Sequence, residues 1–133
     1  MAVHVYSCHV RFSDVDVYGH VNNVKYFEYY QEARIAFLTS LEPDATADAW
    51  GVVVARVAVD YRRPILFRTE PYAIESRVVR VGSSSFTIAA EIKDGQEMLS
   101  RSEATLVTFD PETQSSRPLT ERERSRLVSV GEG

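Results

Sequence analysis

Two carboxylates stand close together in the stretch Ser13-Asp14-Val15-Asp16-Val17-Tyr18-Gly19-His20-Val21-Asn22, a polar loop that feeds straight into a run with helical periodicity. A helix start presents unpaired N–H groups and about half a positive charge. Such an end attracts an anion or stabilises a developing oxyanion. A carboxylate beside it can serve as nucleophile or as general base on water. Together these are the minimum parts for hydrolysing an activated acyl group. The same residues also suit a purely structural role. Loop aspartates before a helix commonly cap it, and a loop histidine such as His20 is commonly a surface hydrogen-bonding residue. As a metal pair, Asp14 and Asp16 lack an obvious third and fourth ligand, so no metal site is expected.

The elements that would position these residues follow from periodicity. From Asn23 to about Leu41, Tyr26, Tyr30, Ala33, Phe37 and Leu41 recur on one helix face, with Asn22 as N-cap. Val24, Phe27, Tyr29, Ile35 and Leu38 widen the apolar surface, so this helix should be largely enclosed. The flanking segments alternate as strands do. Residues 3–12 place Tyr6, Cys8, Val10 and Phe12 on one face. Residues 51–61 do the same with Val53, Ala55, Val57, Val59 and Tyr61. Further runs cover 72–81, 86–92 and 98–109, joined by hairpin signals at 81–83 and at Asp94-Gly95. Residues 42–49 read as a loop, and Thr120 with Glu123 as the capping box of a short C-terminal helix over about 120–129, with a tail to 133. Strand, long apolar helix, then four strands predicts an α+β fold: an antiparallel five-stranded sheet wrapped around one central helix, the hotdog architecture.

Composition narrows the class. At 133 residues, 44% hydrophobic and 26% charged, the chain is expected to form a single globular domain over 1–133. The lone cysteine, Cys8, excludes an intrachain disulfide and a multi-cysteine zinc site, and its apolar strand setting makes it an inert core residue. The N-terminal stretch lacks a long apolar run, which predicts a cytoplasmic protein that neither enters a membrane nor carries a secretory signal. A net charge of −4 disfavours general nucleic-acid binding. Only Lys25 and Lys93 among the 15 basic residues are lysine, and the arginine fork suits the phosphate of a small ligand.

The words D-x-D-x-x-G-H-V-N-N-x-x-Y followed by E-A-R are carried by Asp14, Asp16, Gly19, His20, Val21, Asn22, Asn23, Tyr26, Glu32 and Arg34. They resemble the 4-hydroxybenzoyl-CoA thioesterase-like family of hotdog-fold acyl-CoA thioesterases, and the likeness runs over about residues 5 to 118. The resemblance implies that Asp16 is the catalytic carboxylate and that the backbone N–H of Asn23 polarises the thioester carbonyl. Asp14 would orient the loop, His20 would stand near the reacting centre, and Gly19 and Tyr26 would meet substrate. One departure concerns phosphate binding. Where the family's best-known type has a basic run before a hairpin Ser-Phe, this chain has Gly82-Ser83-Ser84. Arg62, Arg63 and Arg80 become the candidates for the coenzyme A phosphates, and Ser84 is a further substrate-binding candidate. A second departure is Arg68-Thr69-Glu70-Pro71 in place of a Gly-Asp, which alters the start of the next strand.

The expected activity is hydrolysis of an acyl-CoA to free acid and thiol, with no metal or organic cofactor and with coenzyme A as part of the substrate. The alternatives are an acyl-carrier-protein thioesterase, a non-hydrolytic acyl-binding hotdog protein, and a hotdog dehydratase or hydratase. A pure binder has no evident need for Asp16, and the H-V-N-N words disfavour the last. Glu28 and Glu32 suit the solvated helix edge, and Glu32 with Arg34 suits a subunit contact. An exposed sheet edge predicts a homodimer, or a homotetramer, with sites between subunits.

Overall fold

A computed structural model describes residues 3–41 and 51–131. Strand β1 (His4–Cys8) is followed by a single 3-10 turn over Phe12–Asp14 and by helix α1 (Lys25–Leu41). Then come β2 (Val52–Tyr61), β3 (Tyr72–Val81), β4 (Ser85–Asp94), β5 (Glu97–Asp110), the two-residue β6 (Ser115–Ser116) and helix α2 (Glu121–Val130). The strands pair antiparallel in the order β1-β3-β4-β5-β2, with β6 added to β5. This is the expected α+β arrangement of a five-stranded sheet and one long helix. The loop expected over 42–49 lies outside the described residues.

Both hairpins form where the turn residues demand them. Gly95, with φ +60°, is the first of two loop residues between β4 and β5. Glycine, with no Cβ to clash, takes that left-handed conformation at least cost. Residues 82–84 link β3 to β4, closed by a bond from the Gly82 N–H to the Ser85 carbonyl at 2.7 Å.

Helix α1 lies across one face of the sheet. Tyr26, Tyr29, Tyr30 and Ala33 join Tyr72, Ile74, Ile92 and Leu99 in one half of the core. Phe37 and Leu38 join Val78, Phe86, Ile88, Leu106 and Leu127 of α2 in the other. Helix α2 is fixed by its Thr120–Glu123 capping box and by a two-pronged Arg117–Glu123 ion pair at 2.8 and 2.9 Å.

Three local readings need correction. The first strand ends at Cys8, not Phe12, because the Asp14 carboxylate captures the Arg11 N–H and bends the chain into the 3-10 turn. Phe12 is therefore left 79% exposed. In β2, a bulge between Val54 and Arg56 inserts Ala55 and shifts the alternation. Val54 and Val57 face the same side, opposite Leu106 and Ala104, while Val53 turns to the other. Finally, α1 is less enclosed than its composition predicts: Val24, Phe27 and Ile35 are exposed.

Candidate active site

The D-x-D loop sits at one end of the sheet, beside the Cys8, Tyr72 and Tyr61 ends of β1, β3 and β2. Asp14 is fully buried. Its carboxylate accepts from the Arg11 N–H at 3.1 Å, from the Arg11 guanidinium at 3.0 and 3.3 Å, and from the Tyr29 hydroxyl at 2.7 Å. Lys25 Nζ stands 4.0 Å away. Burial alone would raise the Asp14 pKa, but the hydrogen bonds from Arg11 and Tyr29 outweigh it and hold the carboxyl below its ordinary value. Burial and the bond to Asp14 push the Tyr29 phenol upward. The Asp14 carbonyl accepts from the Asn22 N–H at 2.9 Å, so the same residue ties the loop's start to its end.

Asp16 stands differently. Its side chain is exposed, and Oδ1 accepts from the N–H groups of Tyr18 at 2.9 Å and His20 at 3.1 Å. That is an Asx turn, and it fixes the carboxylate's direction. Among the described residues, Oδ2 has no partner. Asp16 lines an open, mostly apolar cleft of about 550 Å³ with Phe12, Val15, Val17, Gly19 and Phe67. Phe12 and Phe67 meet edge to face there. Gly19 adopts φ +76°, and a Cβ added to it would meet nothing within 4 Å. The glycine is needed for backbone conformation, and within one chain there is open space beside it.

A second segment braces the loop from outside. Val21 N–H bonds the Ile65 carbonyl at 2.8 Å and Phe67 N–H the Gly19 carbonyl at 3.1 Å. The Tyr72 hydroxyl holds that segment in turn, accepting from Leu66 N–H at 3.2 Å and donating to the Leu66 carbonyl at 2.7 Å. Arg68, part of the departure noted above, stacks on the Tyr72 ring at 3.8 Å and pairs with Asp94 at 3.0 Å. That stretch now has a physical use: it anchors the tyrosine that anchors the loop.

Helix α1 proper begins at Lys25, two residues later than expected. The Lys25 N–H bonds the Asn22 carbonyl at 2.9 Å, closing a tight turn over Asn22–Lys25. The N–H groups of Lys25, Tyr26 and Phe27 bond the carbonyls of Asn22, Asn23 and Val24, so among the described residues the donors left without an acceptor are Asn23 and Val24 N–H, in the turn that enters α1.

The other candidates are scattered. Tyr26 is buried in the core, and its ring meets Tyr61 edge to face at 4.7 Å. His20 lies half-buried with its ring tilted toward Tyr18. Arg62 and Arg63 are exposed just beyond β2, their N–H groups both on the Leu99 carbonyl, and Arg63 pairs with Glu97 at 3.3 Å. Arg80 and Ser84 sit at the opposite end of the sheet from Asp16, so one chain does not bring them to it. Cys8 is buried, and burial followed by the nearby Asp14 raises its thiol pKa to about 12, which fits an inert core residue.

Sequence reasoning missed three residues that hold the site, Tyr29, Tyr61 and Tyr72. For Tyr29 and Tyr72 the signal is a tyrosine where a core position asks only for phenylalanine, since a buried hydroxyl needs a partner; Tyr61, half exposed, carries no such signal.

The sequence pattern of the thioesterase-like superfamily matches residues 10–127. The chain belongs to that superfamily. The expected class, a hotdog-fold thioester hydrolase, therefore stands. The long-chain acyl-CoA thioesterase FadM of Escherichia coli is 30% identical over 126 residues, covering 91% of this chain and 94% of that protein. YsmA of Bacillus subtilis, which is uncharacterised, is 38% identical over 79 residues; the match spans 59% of this chain and only 53% of that protein. A thioesterase from Thermus thermophilus, solved in complex with coenzyme A and zinc, superposes with a TM-score of 0.83 at 32% identity, over 94% of this chain and 91% of that one. A Bacillus stearothermophilus structure with a TM-score of 0.88 and 23% identity, over 98% and 97% of the two chains, shares the fold. Among the described residues of this thioesterase, no three His, Cys, Asp or Glu side chains form a metal cluster, and no helix is long and apolar enough to cross a membrane.

Proposed function

We propose that this thioesterase hydrolyses an acyl-CoA, with Asp16 as the reacting carboxylate and the helix start as the carbonyl's polarising group. The observation that carries this is the division of labour within Asp16. One oxygen is held by two backbone amides, and the other is open in an apolar cleft. Either the open oxygen removes a proton as water adds to the carbonyl, or it attacks the carbonyl itself and water later releases the acyl group. In both routes the carbonyl oxygen gains negative charge against the Asn23 N–H, the C–S bond breaks, and the thiolate leaves and takes up a proton. No resident cofactor enters the step; coenzyme A is part of the substrate. Support for that carrier comes from the name of FadM and from the coenzyme A bound to the Thermus relative.

The site is completed by a second copy. Edge strand β2 is unpaired on its outer side, and Val53 and Val54 near its start are exposed, one on each face. Two β2 strands joined antiparallel across a two-fold axis would set the Val52 end of one chain beside the Tyr61 end of the other. Arg80 and Ser84 of one chain would then approach the Asp16 end of its partner, which reconciles their separation within one chain. A panel of acyl-CoAs of varied chain length, with detection of free thiol, tests the activity. Turnover of at least one is expected, and hydrolysis of none by the folded protein overturns the reading.

A further inference from the structure

Tyr61 closes edge strand β2, and its ring is about half exposed. Its hydroxyl donates to the Asn23 carbonyl at 2.9 Å. Among the described residues, the only other donor to that carbonyl is the Tyr26 N–H, at a long 3.4 Å. The bond therefore grips the peptide unit between Asn23 and Val24. A peptide is planar and trans, so its C=O and N–H point in opposite directions. Fixing the Asn23 carbonyl fixes the direction of the Val24 N–H, one of the two unpaired donors in the turn that enters α1.

We propose that Tyr61 is a positioning residue for carbonyl polarisation: through the Asn23–Val24 peptide it holds the Val24 N–H as a donor beside that of Asn23. The inference rests on the thioesterase reading and adds to it a second donor and the residue that aims it. A donor held rigid before the reaction stabilises developing charge more than one that must first be ordered. Because the benefit appears when the oxyanion forms, losing the hydroxyl should lower turnover and leave substrate binding alone. A merely structural Tyr61, packed on Tyr26, would behave otherwise, since phenylalanine keeps the ring.

The test uses Tyr61→Phe in the full-length protein, with the best acyl-CoA of the panel as substrate. We expect kcat to fall about tenfold, the equivalent of one modest hydrogen bond, with KM within about twofold of wild type. In a double-mutant cycle with Val24→Pro, which deletes the N–H, the combined loss should be well short of the product of the two single losses. Should Val24→Pro not fold, a second readout replaces it: the Val24 amide resonance of the ligand-free protein, which should shift and broaden in Tyr61→Phe. An unchanged kcat in Tyr61→Phe, fully multiplicative losses, or an unmoved Val24 resonance each overturns the proposal. Absence of any wild-type turnover would instead overturn the thioesterase reading, while the resonance still reports whether Tyr61 holds the turn.

Discussion

The Tyr29 hydroxyl donates to the buried Asp14 carboxylate at 2.7 Å, joining the second turn of α1 to the loop that carries Asp16. The bond ties the helix to the loop at Asp14, two residues before Asp16. Tyr29→Phe keeps the ring in the core and removes only this bond, leaving Asp14 with Arg11. Loss of a hydrogen bond to a buried charge costs about 1–3 kcal/mol. Chemical denaturation should show a loss of that size, and kcat should fall by about one to two orders of magnitude, since small misplacements of reacting groups are costly. Wild-type stability and turnover in this variant would mean that the bond holds nothing.

The depressed Asp14 pKa has a consequence for acid stability. A carboxyl whose folded pKa lies below its unfolded value of about 3.9 stabilises the fold above that value. The contribution is lost as pH falls through the folded pKa. Asp14→Asn should therefore be less stable than wild type at neutral pH, with the gap narrowing as pH drops below about 4. Thermal unfolding across pH 2 to 7 measures it; a gap constant with pH would show that Asp14 does not carry this term.

Asp16→Asn separates the two jobs of that side chain. Its amide oxygen can still accept from Tyr18 and His20, so the Asx turn survives and the protein should fold as wild type. The ionised oxygen is lost, and kcat should fall by about 10²–10⁴-fold, the usual worth of a positioned acid, base or nucleophile. Near-normal hydrolysis by the purified variant would remove Asp16 from the chemistry and leave it a turn residue.

Much of this organisation is legible in the sequence because it rests on periodicity and on short turn words. The steps among Tyr26, Tyr30, Ala33 and Phe37 give the helix, and Asp94-Gly95 gives the tightest hairpin. What escapes is set by contacts distant along the chain. The Ala55 bulge reverses which β2 valines face inward, and nothing in V-V-V-A-R-V-A-V announces it. The end of β1 depends on Asp14 reaching back to Arg11. The bonds from Tyr61 and Tyr72 join residues 38 and six positions away to the loop and its brace. Arg80 and Ser84 could be named as substrate-binding candidates, but periodicity says nothing of which end of the sheet they occupy.

The open β2 edge makes assembly a sharp test. Light scattering at micromolar concentration should give a dimer or a tetramer. Val54, on the inner side of the edge strand and half exposed in one chain, should be covered in the assembly. Val54→Lys places a charge in that seam and should shift the protein toward monomer, with turnover lost in parallel. A fully active monomer would place every part of the site within one chain.

The helix start offers the cleanest separation of backbone from side-chain chemistry. Asn23 N–H has no acceptor among the described residues, so proline at that position removes no hydrogen bond of the fold and its fixed φ suits the turn entering α1. Asn23→Ala keeps the N–H and removes the side chain alone. If the amide polarises the thioester, proline should cost about 10²–10³-fold in kcat, the worth of one such donor, and alanine far less. Circular dichroism should find both variants helical. The reverse order, alanine crippling and proline mild, would assign the work to the asparagine side chain. Small and equal losses would move the polarising group elsewhere, with Val24 N–H, aimed by Tyr61, the next donor along the same turn.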